Sequence, residues 1–151
     1  MLPRLLLPPA VTAFLLAGCG SERFDPTTVS LTGIWKLDEV TDPAPPNEGP
    51  RCRLEDVPLN FEEIEGGEWI GFSQPGGTRR CQQPGGPFGP ATPYDPEYTL
   101  LVRKNGERIT ATSVTSGLLV YTGRLTGADA MSGDVSPESD GRQGTWSAQR
   151  E

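Results

Sequence analysis

The chain contains no histidine, only two lysines and only three cysteines. Without imidazole there is no Ser-His-Asp triad, no Cys-His pair and no histidine ligand for zinc. Lys36 and Lys104 stand beside charged or turn residues, with no motif for a Ser-Lys dyad. No apolar run reaches the about 20 residues that span a bilayer. The longest, residues 5–16, is interrupted by Pro8 and Pro9, which lack the backbone donor a helix needs. Positive charge is also short, 13 Lys plus Arg against 20 Asp plus Glu, so nucleic acid is not an expected partner. Paired carboxylates are the chemistry that remains. Glu62, Glu63, Glu65 and Glu68 cluster, but alternation turns Glu62 away from Phe61 and the group borders a Gly66-Gly67 turn, which reads as solvent-exposed. The oxygens of Asp134, Ser136, Glu138 and Asp140 alternate like a calcium loop. The twelfth position counted from Ser136 is Ser147 where such a loop needs glutamate, so no metal or cofactor is expected. The sequence reads as that of a non-enzyme.

What is present begins with an address. Arg4, an apolar stretch and then small residues form the three parts of a secretory signal. Leu16-Ala17-Gly18-Cys19 resembles the lipobox of bacterial lipoproteins. That resemblance implies that Cys19 becomes the acylated first residue and that the partner of the N-terminus is a membrane. It also implies that Gly20, standing where a retention aspartate would be, directs the chain to the outer membrane. The alternative is an ordinary secretory signal with an incidental cysteine. The organisation expected is a leader over 1–18, a lipidated tether over 19–30 and one domain over 31–151.

Cys52 and Cys81 are then an even pair in an oxidising compartment, which predicts a disulfide. The chain-entropy model gives such a loop about 3.6 kcal/mol of stabilisation. A free reactive thiol is the alternative, with no histidine to act as its base. The loop 73–96 holds six prolines and five glycines, a composition that excludes helix and interior strand. Charge is uneven: residues 36–70 carry ten acids and three bases, residues 71–128 six bases and three acids. We read both as solvated surface, the alternative being an acidic stretch that meets a cationic partner.

The rest is β in pattern. Leu31, Gly33, Trp35 and Leu37 alternate with Thr32, Lys36 and Asp38; Val57, Leu59 and Phe61 do the same, and Pro58 argues for an edge or a strand start. "EWIGF" is a short strand after Gly66-Gly67. Asn105-Gly106 joins "EYTLLVRK" to "ERITATSV" and predicts a type I′ hairpin. Residues 117–125, 130–135 and 144–150 continue as short strands. No window of the exported part has helical period. The fold expected is all-β, an eight-stranded antiparallel meander closed or partly open as a small barrel, with a β-sandwich as alternative. The segment 41–56, with its Pro-rich "DPAPPNEGP", reads as a flap or linker.

Gly33-Ile34-Trp35 and Gly144-Thr145-Trp146 form matching signatures, each glycine leaving room for an indole on its own strand face. In a closed barrel the two strands are neighbours. The two tryptophans are then expected to stack at one end of the core, with Arg150 or Arg124 over an indole. The Gly-x-Trp of Gly33 and Trp35, with Arg150 in the last strand, resembles the lipocalin superfamily. That implies a small barrel, and either of two non-catalytic roles. In one, Trp35, Tyr98, Leu100, Tyr121 and Trp146 line a cup for a small apolar or amphipathic ligand. In the other they fill the core and the outer surface meets an envelope protein. Eleven aromatics in the whole chain favour the filled core.

Overall fold

The computed structural model describes residues 24–42, 50–82, 85–114, 119–137 and 143–151. Their regular structure is all strand: β1 (Gly33–Asp42), β2 (Arg51–Glu65), β3 (Glu68–Ser73), β4 (Thr78–Gln82), β5 (Thr92–Pro93), β6 (Thr99–Asn105), β7 (Arg108–Ser113), β8 (Leu119–Gly127), β9 (Ala130–Pro137) and β10 (Gln143–Arg150). Every pairing is antiparallel, and β1 pairs with both β2 and β10. The circuit β1-β2-β3-β6-β7-β8-β9-β10 therefore closes into an eight-stranded barrel, while β4 and β5 extend the first half of β2 as an appended flap. Closure leaves the eight barrel strands without an exposed edge.

The lower end of the barrel carries the tight turns after β2, β6 and β8. The upper end carries the connection through β4 and β5. Two-residue period places Trp35 and Leu37 of β1, Leu59 and Phe61 of β2, Leu100 and Val102 of β6 and Tyr121 and Leu125 of β8 inside, all buried. Eight strands make an interior just wide enough for side chains to fill. A void with about 20 Å³ open to the centre of a water-sized sphere remains between Leu37, Phe61, Val102 and Met131, walled by apolar groups.

In its strands and turns the structure departs from the sequence reading in four places. Strand β2 starts at Arg51, so most of 50–56 is strand rather than flap; residues 43–49 lie outside the described residues. Pro58 sits inside β2 and not at its start. It occupies the point where the partner of β2 changes from β4, which ends opposite Glu55, to β3, which begins opposite Leu59, so no ladder donor is required of it there. The loop 73–96 contains β4 and β5, both outside the barrel wall. The hairpin after β6 turns on Gly106-Glu107, since Asn105 pairs with Arg108; a single positive φ, at Gly106, fits a type II′ turn and not the expected I′.

One irregularity shapes the wall. Asp38 faces two residues of β2, Glu55 and Asp56, and Asp56 takes a φ of 54°. Its N–H donates to Asp38 Oδ1 at 2.9 Å. The bulge resets the pleat, so that Leu54 and Val57, three apart in sequence, both point inward.

Candidate functional site

Gly33, Trp35 and Arg150 come together at the lower end. The Arg150 guanidinium lies 4.7 Å from the centre of the Trp35 ring, and the Trp35 indole donates to the Leu31 carbonyl at 2.8 Å. Arg150 also donates to the carbonyls of Thr32 (2.9 Å) and Ser30 and pairs with Asp129 at 3.0 Å. Lys104 Nζ holds the Pro26 carbonyl at 2.7 Å. Residues 26–31, most of them read from sequence as tether, are thereby drawn across the barrel floor, with Leu31 fully buried and Val29 packed on the core. Cys19 lies outside the described residues.

Trp146 is not beside Trp35. It pairs with Glu39, four residues farther along β1 than Trp35, and its ring meets Tyr121 edge-on at 6.1 Å. Room for its indole comes from Gly123 two strands away, where a Cβ would lie 2.7 Å from Trp146 Cζ2. Gly144 instead faces the backbone of β1. Trp35 meets Phe61, not Trp146, at 6.5 Å.

The upper end of the core is polar. Tyr121 Oη donates to the buried Glu39 carboxylate at 2.8 Å. Tyr98 and Tyr94, carried by the β5–β6 segment, pack against the same core from above. Ser73 Oγ ties that segment down by accepting the Tyr98 N–H at 3.0 Å and donating to the Pro96 carbonyl. Burial first, and the charge of Glu39 second, push all three phenols of the chain above their usual value of 10. An acid whose folded pKa is raised holds its proton more tightly when folded. The resulting stabilisation is complete below the unfolded value near 10 and is lost as pH climbs through the higher folded values. At pH 10 the native chain is expected to show almost no tyrosinate absorbance, whereas the urea-unfolded chain is about half ionised. Ionisation of native chain should then appear together with unfolding. A native titration centred at 10 would place the phenols in water.

Leu100, Tyr121 and Trp146 are thus core residues, with Tyr98 partly buried above them, and what the interior offers a guest here is one small apolar void. The disulfide expected from the cysteine count is present, joining directly opposed Cys52 and Cys81 of β2 and β4. The acidic cluster is exposed at Glu62, Glu63 and Glu65, and Glu68 pairs with Arg103 at 2.6 Å.

The outer wall holds a feature that sequence reasoning passed over. A groove of about 490 Å³ crosses the outside of β10, β1 and β2, lined by Asp38, Val40, Arg53, Glu55, Asp56, Thr145 and Ser147. Beside it, Arg53 faces Arg80 directly across the β2–β4 pairing. Phe88 lies under two guanidinium groups, those of Arg53 at 5.3 Å and Arg51 at 6.0 Å, and Tyr94 under that of Arg79 at 5.7 Å. The signal was available in "RCR" (51–53) and "RRC" (79–81), where arginines flank both ends of the disulfide.

No family model, curated protein or solved structure matches the chain. The fold itself defines it as a small closed antiparallel barrel.

Proposed function

We propose that this chain is a lipid-anchored cell-envelope protein whose barrel is a non-catalytic interaction module acting through its outer surface. The observation that carries the reading is the filled interior: with about 20 Å³ free inside, recognition falls to the outer wall. The leader and Leu16-Ala17-Gly18-Cys19 support the anchor, and Gly20 supports the outer membrane. The floor-crossing segment adds a geometric support, because a chain attached at Cys19 meets the barrel at its lower end by Pro26 and leaves the upper end and its flap facing away.

Cys19→Ser tests the anchor. The unaltered chain is expected in the membrane fraction with a mass that includes acyl groups. The variant is expected to keep its leader uncleaved and to lack the acyl mass. Normal cleavage and membrane retention of the variant would remove the lipoprotein reading. Native mass spectrometry tests the filled core separately: the chain is expected to carry no small apolar guest, and a discrete extra mass would restore the cup.

A further inference from the structure

We infer that the outer groove across β10, β1 and β2, together with the Arg53–Arg80 pair at its edge, binds an anionic saccharide, a sugar chain bearing carboxylate or phosphate groups. This rests on the reading of the chain as an interaction module and supplies the chemistry of its partner.

Like charges placed directly opposite on neighbouring strands repel. Arg53 and Arg80 are held so, one rung from the Cys52–Cys81 bridge that locks the register. A single carboxylate, Glu55, lies between them, 3.8 Å from one guanidinium and 3.2 Å from the other. Both arginine side chains remain nearly half exposed, 48% and 45%. Stacking on Phe88 fixes the Arg53 plane. Two oriented guanidinium groups sharing one carboxylate keep donors for a further acid group, which a planar fork grips in pairs.

The groove beside them has the opposite character. In one outward row Arg53 is followed by Val40 and Thr145, and in the next stand Asp56, Asp38 and Ser147. Carboxylates accept hydrogen bonds from hydroxyl groups, and serine and threonine both donate and accept. An acidic peptide laid here would bring its carboxylates against Asp38, Glu55 and Asp56 and be repelled. A sugar chain carries its acid group at one place and hydroxyls elsewhere, which matches an arginine edge opening onto an oxygen-lined floor. The volume, about 490 Å³, lies within the range of small-molecule sites.

The test uses the full chain, exported by its own leader and purified in mild detergent, with calorimetric titration of four probes. These are a malto-oligosaccharide ending in a single glucuronate, the same oligosaccharide bearing one terminal phosphate instead, the neutral malto-oligosaccharide of equal length and poly-L-glutamate. Binding of either acidic sugar is expected, at least about tenfold tighter than the neutral one, and the tighter of the two identifies the acid group. The double variant Arg53→Gln, Arg80→Gln is expected to lose about tenfold or more. Arg108→Gln with Arg124→Gln removes the same charge from a second directly opposed pair, in a wider groove on β7 and β8 across the barrel where neither arginine is stacked on a ring among the described residues, and is expected to change nothing. If the first pair unfolds early, Ser147→Tyr fills the groove without touching either arginine and is expected to abolish binding. No binding, preference for poly-L-glutamate, or equal loss in both double variants overturns the inference. Because these titrations do not depend on where Cys19 places the chain, their failure leaves the anchoring experiment intact.

Discussion

Trp35→Ala is expected to lower the unfolding free energy by about 3–5 kcal/mol, the range for removing a large buried ring. Trp35 is fully buried, and three kinds of contact end with its removal. The ring packs edge-on against Phe61, the Arg150 guanidinium loses the π face it lies over, and the Leu31 carbonyl loses its indole donor. A domain of this size has about 5–15 kcal/mol in total, so the variant stands near the limit of folding. Trp35→Phe separates the contributions: it keeps a ring in place and removes the indole N–H, at about 1–3 kcal/mol for the unpaired buried carbonyl and the lost volume. Urea unfolding of the two variants checks both values. A loss under about 1.5 kcal/mol for Trp35→Ala would mean that the floor of the barrel contributes little to its stability.

Gly133→Ala is expected to be comparably harmful for a different reason. A Cβ there would lie 1.9 Å from the Thr122 carbonyl oxygen and 2.4 Å from Gly123 Cα, and both are backbone atoms. A flexible side chain turns away from such an overlap; a paired strand has to move. The move would separate β8 from β9 at their Gly123–Gly133 rung and disturb the Trp146 indole, which donates to the carbonyls of Thr122 and Asp134. Overpacking of this kind costs about 3 kcal/mol, or more where the backbone cannot yield. Gly127→Ala, three rungs below, is the control: its Cβ would meet only the Ala130 methyl at 3.9 Å, an ordinary contact. Its unfolding midpoint is expected to match or slightly exceed that of the unaltered chain, since alanine loses less backbone entropy on folding than glycine, and equal losses at the two positions would mean that the overlap at Gly133 is not the cause.

Strands were legible wherever one face is core and the other water. Trp35 and Leu37, or Leu59 and Phe61, announce themselves by period two because solvent tolerates Lys36, Pro58 or Asn60 between them. The disulfide was legible from parity alone. The flap was not, because β4 and β5 lie outside the wall, where burial imposes no period and Pro/Gly content reads as loop. The bulge at Asp56 left a trace only in the three-residue gap between Leu54 and Val57, which local alternation treats as the end of a strand. The place made for Trp146 was illegible for a topological reason: its glycine sits two strands away, and nothing local to Gly144-Thr145-Trp146 points to residue 123. The arginine pair shares that difficulty, since Arg53 and Arg80 become neighbours only once β2 and β4 are in register.

The seam of the barrel joins its first and last strands. β1, the first strand made, has one side satisfied by β2 as soon as that hairpin forms, but its other side waits for β10, the last. A chain that emerges N-terminus first therefore carries an open β1 edge throughout its emergence, and such unpaired edges are where growing chains associate wrongly. Arg150, at the end of β10, clasps Ser30 and Thr32. Loss of the β10 residues that carry this clasp would leave a ring that cannot be fastened, so closure of the barrel waits on that one strand.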